Sequence, residues 1–511
     1  MLVTTITILA AILVLAAVWM LTNNFFHIEA SKSGIDADSH DLGIMPKSNV
    51  LFGTPIPANI DANKFHRLSK GHDIKLVGAA NGEVENIRTN RYAVKPTDFR
   101  GIAPIPKLMV QVGDEVKAGD PLFYDKSNPD IMFVSPVSGE VVEVQRGAKR
   151  AISAVVVLAD KADNYKQFSV PASDASREDI VNFLMSTGFW PFINRRPFDT
   201  LANPNNTPRD IFISLMETAP LATPVAIQLN GAMDDFNNGL SVLAKLTDGA
   251  VYLGCDSSDA SVANAVNDID GVEKHWFRGP HPAGNVGVQI HHIRPINAAD
   301  QVWTLKANSV AILGKLFRTG NLDLTSVIGL TGAGFNENKY IRTPFGAEVG
   351  SLVEGNTSEG KFRMISGDVL TGTQVAAVGF MDANASQLTT LSEGDHYEMF
   401  GWLLPLSPRP SISGTYPNGL FKEFKFEPDT NTHGEERAFV VTGQYESVLP
   451  MDIYPQHLLK AIMANDYERM EGLGIYELSE EDLALCEFAC TSKVPVQKIL
   501  RRGLNMMEEQ S

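Results

Sequence analysis

Cysteine is scarce in this chain: Cys255, Cys486 and Cys490 are the only three in 511 residues. That excludes a disulfide framework and a self-contained multi-cluster iron–sulfur module, and it suits a reducing compartment. Basic charge is short as well, with 43 Lys and Arg against 60 Asp and Glu and a net charge of -17. Such a balance argues against a nucleic-acid partner, whose phosphates need neutralising. Compositional signs of long disorder are missing too, because 44% of the residues are apolar and 20% charged. A chain of this length buries two to four separate cores, so a multidomain α+β protein is expected.

The one long apolar run comes first. Leu2 to Leu21 carries no charge, and about 20 apolar residues at 1.5 Å each match a bilayer's hydrocarbon core. Residues 1–22 therefore read as a transmembrane helix. A cleaved signal wants a basic start, and the first Lys or Arg here is Lys32. A start-site artefact is the other alternative, since Met45 lies downstream within the linker over residues 23–62. Lys32 and Lys47 after the run place the rest of the chain on the cytoplasmic side.

From Met109 to Gly147 short β-prone runs alternate with the turn clusters VGD, AGD, SNPD and PVSG. Gly113, Gly119 and Gly139 suit positive φ, and Asp114 and Asp120 suit local backbone hydrogen bonds. The pattern, within a domain over 63–165, is similar to the barrel-sandwich fold of biotinyl and lipoyl carriers. Lys126 would be the carrier lysine, but DKSNPD places Pro129 in a wider loop than a carrier hairpin has, so a docking barrel is the preferred reading over a carrier or adaptor.

Residues 166–323 alternate helical and strand patterns, which predicts an α/β layer with a largely parallel sheet. A capped helix covers 174–190, IFISLM and AVYLGC read as strands, and a helix runs through NNGLSVLAKL between them. The stretch from His275 to Ile296 is dense in His, Gly and Pro. His291 and His292, read as strand neighbours, point to opposite faces, which disfavours one shared metal, and no metal site is expected. Residues 324–440 alternate β-prone runs with turns as a small β module. Residues 441–511 have helical spacing, with Pro450 and Pro455 as breaks and Gly472 and Gly474 as a stop.

GPHPAGNVG, HHIRPIN and VAILGKLFRTGNLD, preceded by RPFDTLANPNNTPRDIFIS, resemble the peripheral-subunit family of the sodium-translocating NADH:quinone reductase (Na+-NQR). The resemblance runs from about Asn63 to the C-terminus. It implies a Rossmann-like α/β domain related to flavin-binding NADH dehydrogenase subunits. It also implies a ubiquitin-like β module, and a helical domain like a ferredoxin-like cluster domain without its cluster. Where those relatives carry a glycine-rich phosphate loop, this chain has STGFWPFINRRPF with Gly188 alone. Cys486 and Cys490 fit only the last two ligands of a C-x2-C-x2-C-x3-C-P run. No tightly bound cofactor is therefore expected on this chain.

The resemblance further implies a place in a six-subunit complex that uses NADH, flavins and an iron–sulfur centre on partner subunits. That complex lies at the cytoplasmic face of the bacterial inner membrane and couples quinone reduction to sodium export. Quinone is the ligand that family association suggests, and Arg195, Arg196, His281 and His292 are its candidate contacts. The competing reading is a flavin-dependent NADH dehydrogenase subunit of another respiratory complex.

Overall fold

The computed structural model describes residues 60–267, 269–397, 409–412 and 424–510, with scattered residues between Thr7 and Phe25. They fall into two units, Met1–Asn63 and Lys64–Ser511. In the first, the described residues between Thr7 and Phe25 are helical. Among the described residues no helix is long and apolar enough to cross a membrane. Half of the span expected over residues 1–22 lies outside them, as does most of the linker that follows, so the anchor has no support from the structure.

The described residues of the second unit form four sheets. Two small ones form the barrel-sandwich. One joins Arg91–Val94, Ile152–Ala159, Gly139–Arg146 and Glu115–Val116, and the other joins Lys107–Leu108, Pro121–Tyr124 and Met132–Val134. Gly113, Gly119 and Gly139 all take positive φ. The Asp114 and Asp120 carboxylates accept from the Gln111 and Lys117 backbone N–H groups, as their turns require. Lys126 is exposed on the loop between Pro121–Tyr124 and Met132–Val134. Buried Asp125 beside it accepts from the N–H groups of Ala103 and Ser127 and pins that loop to the barrel.

The α/β layer is built on Asp210–Leu215, Val251–Asp256, Glu273–Arg278 and Val302–Lys306. All four are parallel, in the spatial order third, second, first, fourth. Their apolar runs, such as Ile211–Ile213, are buried because helices cover the sheet. Arg177–Thr187 starts at a capping box between Ser176 and Asp179. Met233–Leu243 and Ala307–Thr319 pack so closely that a Cβ on Gly314 would stand 1.7 Å from the Asp235 carbonyl oxygen. Contrary to the strand reading of His291 and His292, both lie in the last turn of the helix Val286–Ile293. Residues 279–285 link the strand Glu273–Arg278 to that helix.

Thr325–Gly332, Lys339–Pro344, Phe362–Ser366, Thr373–Val375 and Gln387–Ser392 form most of a six-stranded sheet. Its edge strand, Asn81–Asn86, comes from before the barrel and pairs parallel with Lys339–Pro344. Phe65–Arg67 likewise joins the α/β sheet, parallel with Glu273–Arg278. The C-terminal helices are Gln444–Val448, Pro455–Ala464, Tyr467–Gly472, Glu480–Ala489 and Val496–Glu508. Their core of Leu458, Leu483 and Leu500 is continuous with Phe198, Phe277 and Val288 of the α/β layer, so the helical domain shares its core with its neighbour.

Candidate functional site

In an open parallel sheet, ligands bind outside the carboxyl ends of the strands, where the strand order reverses. Here that point lies between Asp210–Leu215 and Val302–Lys306. A crevice of about 680 Å³ opens there, lined by Ser214, Met216, Glu217 and Thr218 from one strand end and by Lys306 and Ala307 from the other. The barrel-sandwich, the six-stranded sheet and the helical domain supply its remaining walls through Phe99, Asp368 and Glu481. Its volume falls within the range of small-molecule sites.

Arg196 is 1% exposed and forms one wall. Its guanidinium meets Glu481 at 2.9 Å, Asp482 at 3.3 Å and Asp199 at 3.5 Å. Arg100 extends this network to Asp199 at 2.7 Å and Glu480 at 3.2 Å, and Arg501 pairs with Glu480 and donates to the Phe198 carbonyl. The Asp482 carboxylate also closes the capping box of Glu480–Ala489 with Ser479. It lies against Gly287, where a Cβ would come within 2.3 Å of it. Burial raises the Glu481 and Asp482 carboxyls above the ordinary carboxylate range, and Arg196 opposes that shift for both. These charges hold the helical domain to the α/β layer.

Arg195, on the same strand, points elsewhere: it pairs with Glu508, donates to Thr200 Oγ1 at 3.0 Å and lies over the Phe198 ring. His281 borders the crevice but is 3% exposed. Its Nδ1 is 3.1 Å from Thr218 Oγ1, and burial pushes its pKa down to about 4, against the pull of Asp368 and Asp73. Among the described residues its Nε2 has no hydrogen-bond partner, and it is shielded from solvent.

His292 lies outside the crevice. Its Nε2–H donates to the Pro450 carbonyl at 2.7 Å, and its ring sits 6.0 Å from that of His66, which itself contacts His275 at 3.0 Å. His291 donates from Nδ1 to Glu477 and accepts at Nε2 from the Asp452 N–H. Of the four residues singled out from sequence, the crevice therefore brings together Arg196 and His281 and leaves out Arg195 and His292.

The sequence reading missed Glu217 and Lys306. Lys306 is the last residue of a buried strand and Glu217 follows the end of another by two residues, and that position was the available signal. Glu217 is exposed to the crevice, yet desolvation by the surrounding walls raises its carboxyl pKa, while Lys306 and a hydrogen bond with Gln228 oppose the rise. Lys306 is exposed, and its ammonium donates to the Asn384 carbonyl at 2.8 Å.

The loop after Arg177–Thr187 is packed rather than open. Gly188 is the left-handed C-cap, its N–H and that of Phe189 are taken by helix carbonyls, and Phe189, Trp190 and Phe192 are buried. Such a loop offers no nest of free N–H groups to a phosphate. Cys486, within Glu480–Ala489, and Cys490, its C-cap, are buried free thiols, and burial pushes the Cys486 thiol up. Cys255 is buried in its strand with its thiol pushed up to about 12. Among the described residues no group of three or more His, Cys, Asp or Glu is arranged to hold a metal ion.

Three family models match the chain. The NqrA N-terminal barrel-sandwich hybrid domain covers residues 66–160, the NqrA second alpha/beta domain covers 175–322, and the NQRA C-terminal domain covers 327–377. The NqrA subunit of the Na(+)-translocating NADH-quinone reductase of Yersinia pseudotuberculosis is 36% identical over 449 residues, 87% of this chain and 99% of the relative. Its counterparts in Rhodopirellula baltica and Vibrio vulnificus are each 36% identical, over 87% of this chain and 98% and 99% of their own lengths. Three successive domains and near-full-length identity at this level establish that the chain belongs to the NqrA family of Na(+)-translocating NADH-quinone reductase subunits.

Proposed function

We propose that the chain serves as the NqrA component of a membrane complex that couples NADH oxidation and quinone reduction to sodium export. The observation that carries this reading is the 36% identity over 99% of a relative bearing that name. In it the protein is a cap on the cytoplasmic face of the bacterial inner membrane, assembled with five other subunits. Flavins and an iron–sulfur centre on those partners perform the electron transfer. The packed loop at Gly188 and the two isolated cysteines of the helical domain support a component without tightly bound flavin or cluster of its own. Quinone, ubiquinone or menaquinone, contacts the protein in the switch-point crevice, which has the size and the mixed polar and apolar lining of a small-molecule site.

The test is purification of the native membrane complex through a tag after Ser511, with its subunit composition and sodium-stimulated NADH:quinone activity recorded. Partner subunits with flavin and that activity are the expected outcome. Recovery of the chain alone, inactive, under conditions that keep other respiratory complexes intact would overturn the reading.

A further inference from the structure

We propose that Lys306 anchors the head group of a quinone bound in the switch-point crevice, its ammonium donating to a carbonyl oxygen of the ring. The inference rests on the quinone reading above and assigns it a place and a residue. It follows from how the cations of the crevice are used. Seven carboxylates and four Lys or Arg groups line the cavity. Three of those cations are committed to acids. Arg196 is held by Asp199, Glu481 and Asp482. Arg100 is held by Asp199 and Glu480, and Lys95 by Asp98 at 3.4 Å, by Asp382 and by the Phe380 carbonyl.

Lys306 differs. Among the described residues its one hydrogen bond is to the Asn384 carbonyl, and no carboxylate lies within ion-pair distance of it. An ammonium has three donors, so two N–H groups remain for a ligand's acceptor oxygen. The group stands at the end of the fourth parallel strand, beside the point where the strand order reverses. Glu217 and Glu481 are close enough for its charge to act on both.

The chemistry of the remaining wall narrows the ligand. The excess of carboxylates repels phosphates, which disfavours NADH and flavin nucleotides and leaves an uncharged ring with carbonyl acceptors as the better fit. Phe99, Pro191, Phe192 and Met216 supply apolar surface for such a ring. His281 is a poorer anchor, because Nδ1 is engaged with Thr218 and Nε2 is shielded from solvent.

The full-length chain, alone and in its complex, is tested with a photoreactive short-chain ubiquinone, the labelled peptides being mapped by mass spectrometry and displaced with unlabelled short-chain ubiquinone. Label is expected on peptides containing Met216–Thr218 or Lys306, and NADH should not displace it. Lys306→Met, which keeps most of the stem, should weaken binding by about tenfold to a hundredfold, the worth of a hydrogen bond from a charged donor. Lys306→Arg should restore most of it, and an unchanged melting temperature in both variants separates lost binding from lost folding. Quinone bound with unchanged affinity by Lys306→Met, or label confined to other surfaces, overturns the assignment of Lys306 while quinone contact stands. A wild-type chain that takes no label in either state removes both.

Discussion

The two sides of the crevice use the same residue types to opposite ends. On the side of the helical domain, Arg196, Asp199, Asp482, Glu480 and Arg501 form a network in which charge faces charge at short range. Across the strand ends, exposed Lys306 and Glu217 line the crevice, and the ammonium has only a backbone carbonyl as partner among the described residues. The contrast teaches that a charged residue in a cavity is informative about binding in proportion to the partners it lacks. Arg196 is the more buried of the two cations and the less available.

The largest effect that would sharpen this contrast is expected from Arg196→Met. It leaves Asp482 buried and without its cation and should cost about 3–5 kcal/mol in urea unfolding. Lys306→Met should cost less than about 1 kcal/mol by the same measurement, as for an exposed side chain with one hydrogen bond. Equal losses would erase the distinction between the two walls. Gly287→Ala comes next: its Cβ would meet Asp482 Oδ2 at 2.3 Å, and about 1–3 kcal/mol of destabilisation is expected from the overpacking.

A weaker effect concerns pH. His281 has a folded pKa of about 4, below its ordinary 6.5, so the unfolded chain binds the extra proton between those values. Its contribution to stability is therefore present above pH 6.5 and is lost as pH falls toward 4. His281→Gln should flatten that part of the stability profile, and an unaltered slope would show that the imidazole is not held neutral. The smallest effect belongs to Lys126→Ala, which should shift stability by less than about 0.5 kcal/mol because the side chain is exposed. A larger loss would mean that the hairpin tip, and not only Asp125, secures the barrel.

Much of the fold was legible because local chemistry decides it. The cap at Ser176, the buried strands IFISL and VYLGC and the barrel turns at Gly113 and Gly119 each follow from a few neighbouring residues. The pairings of Phe65–Arg67 and Asn81–Asn86 were not legible, since their partners lie far along the chain and nothing in FHR or NGEVEN marks them. His291 and His292 were misjudged for a related reason. The run GPHPAGN looks like a continuous loop, whereas Asn285 begins a helix that only the packing against Asp482 and Glu481 makes evident. In the site, His281 and Arg196 drew notice as conspicuous polar residues. Glu217 and Lys306 did not, because their importance depends on where two separate strands end.

The two early edge strands bear on how the protein is made. Phe65–Arg67 and Asn81–Asn86 leave the ribosome long before Glu273–Arg278 and Lys339–Pro344 exist to receive them. During synthesis the barrel between Arg91 and Ala159 can close while the segment ahead of it waits unpaired, and each receiving sheet edge stays open until that segment docks. The N-terminal stretch thus acts as a late clasp on two sheets at once, and a chain truncated before Arg91 would be born with two bare edges and a tendency to aggregate.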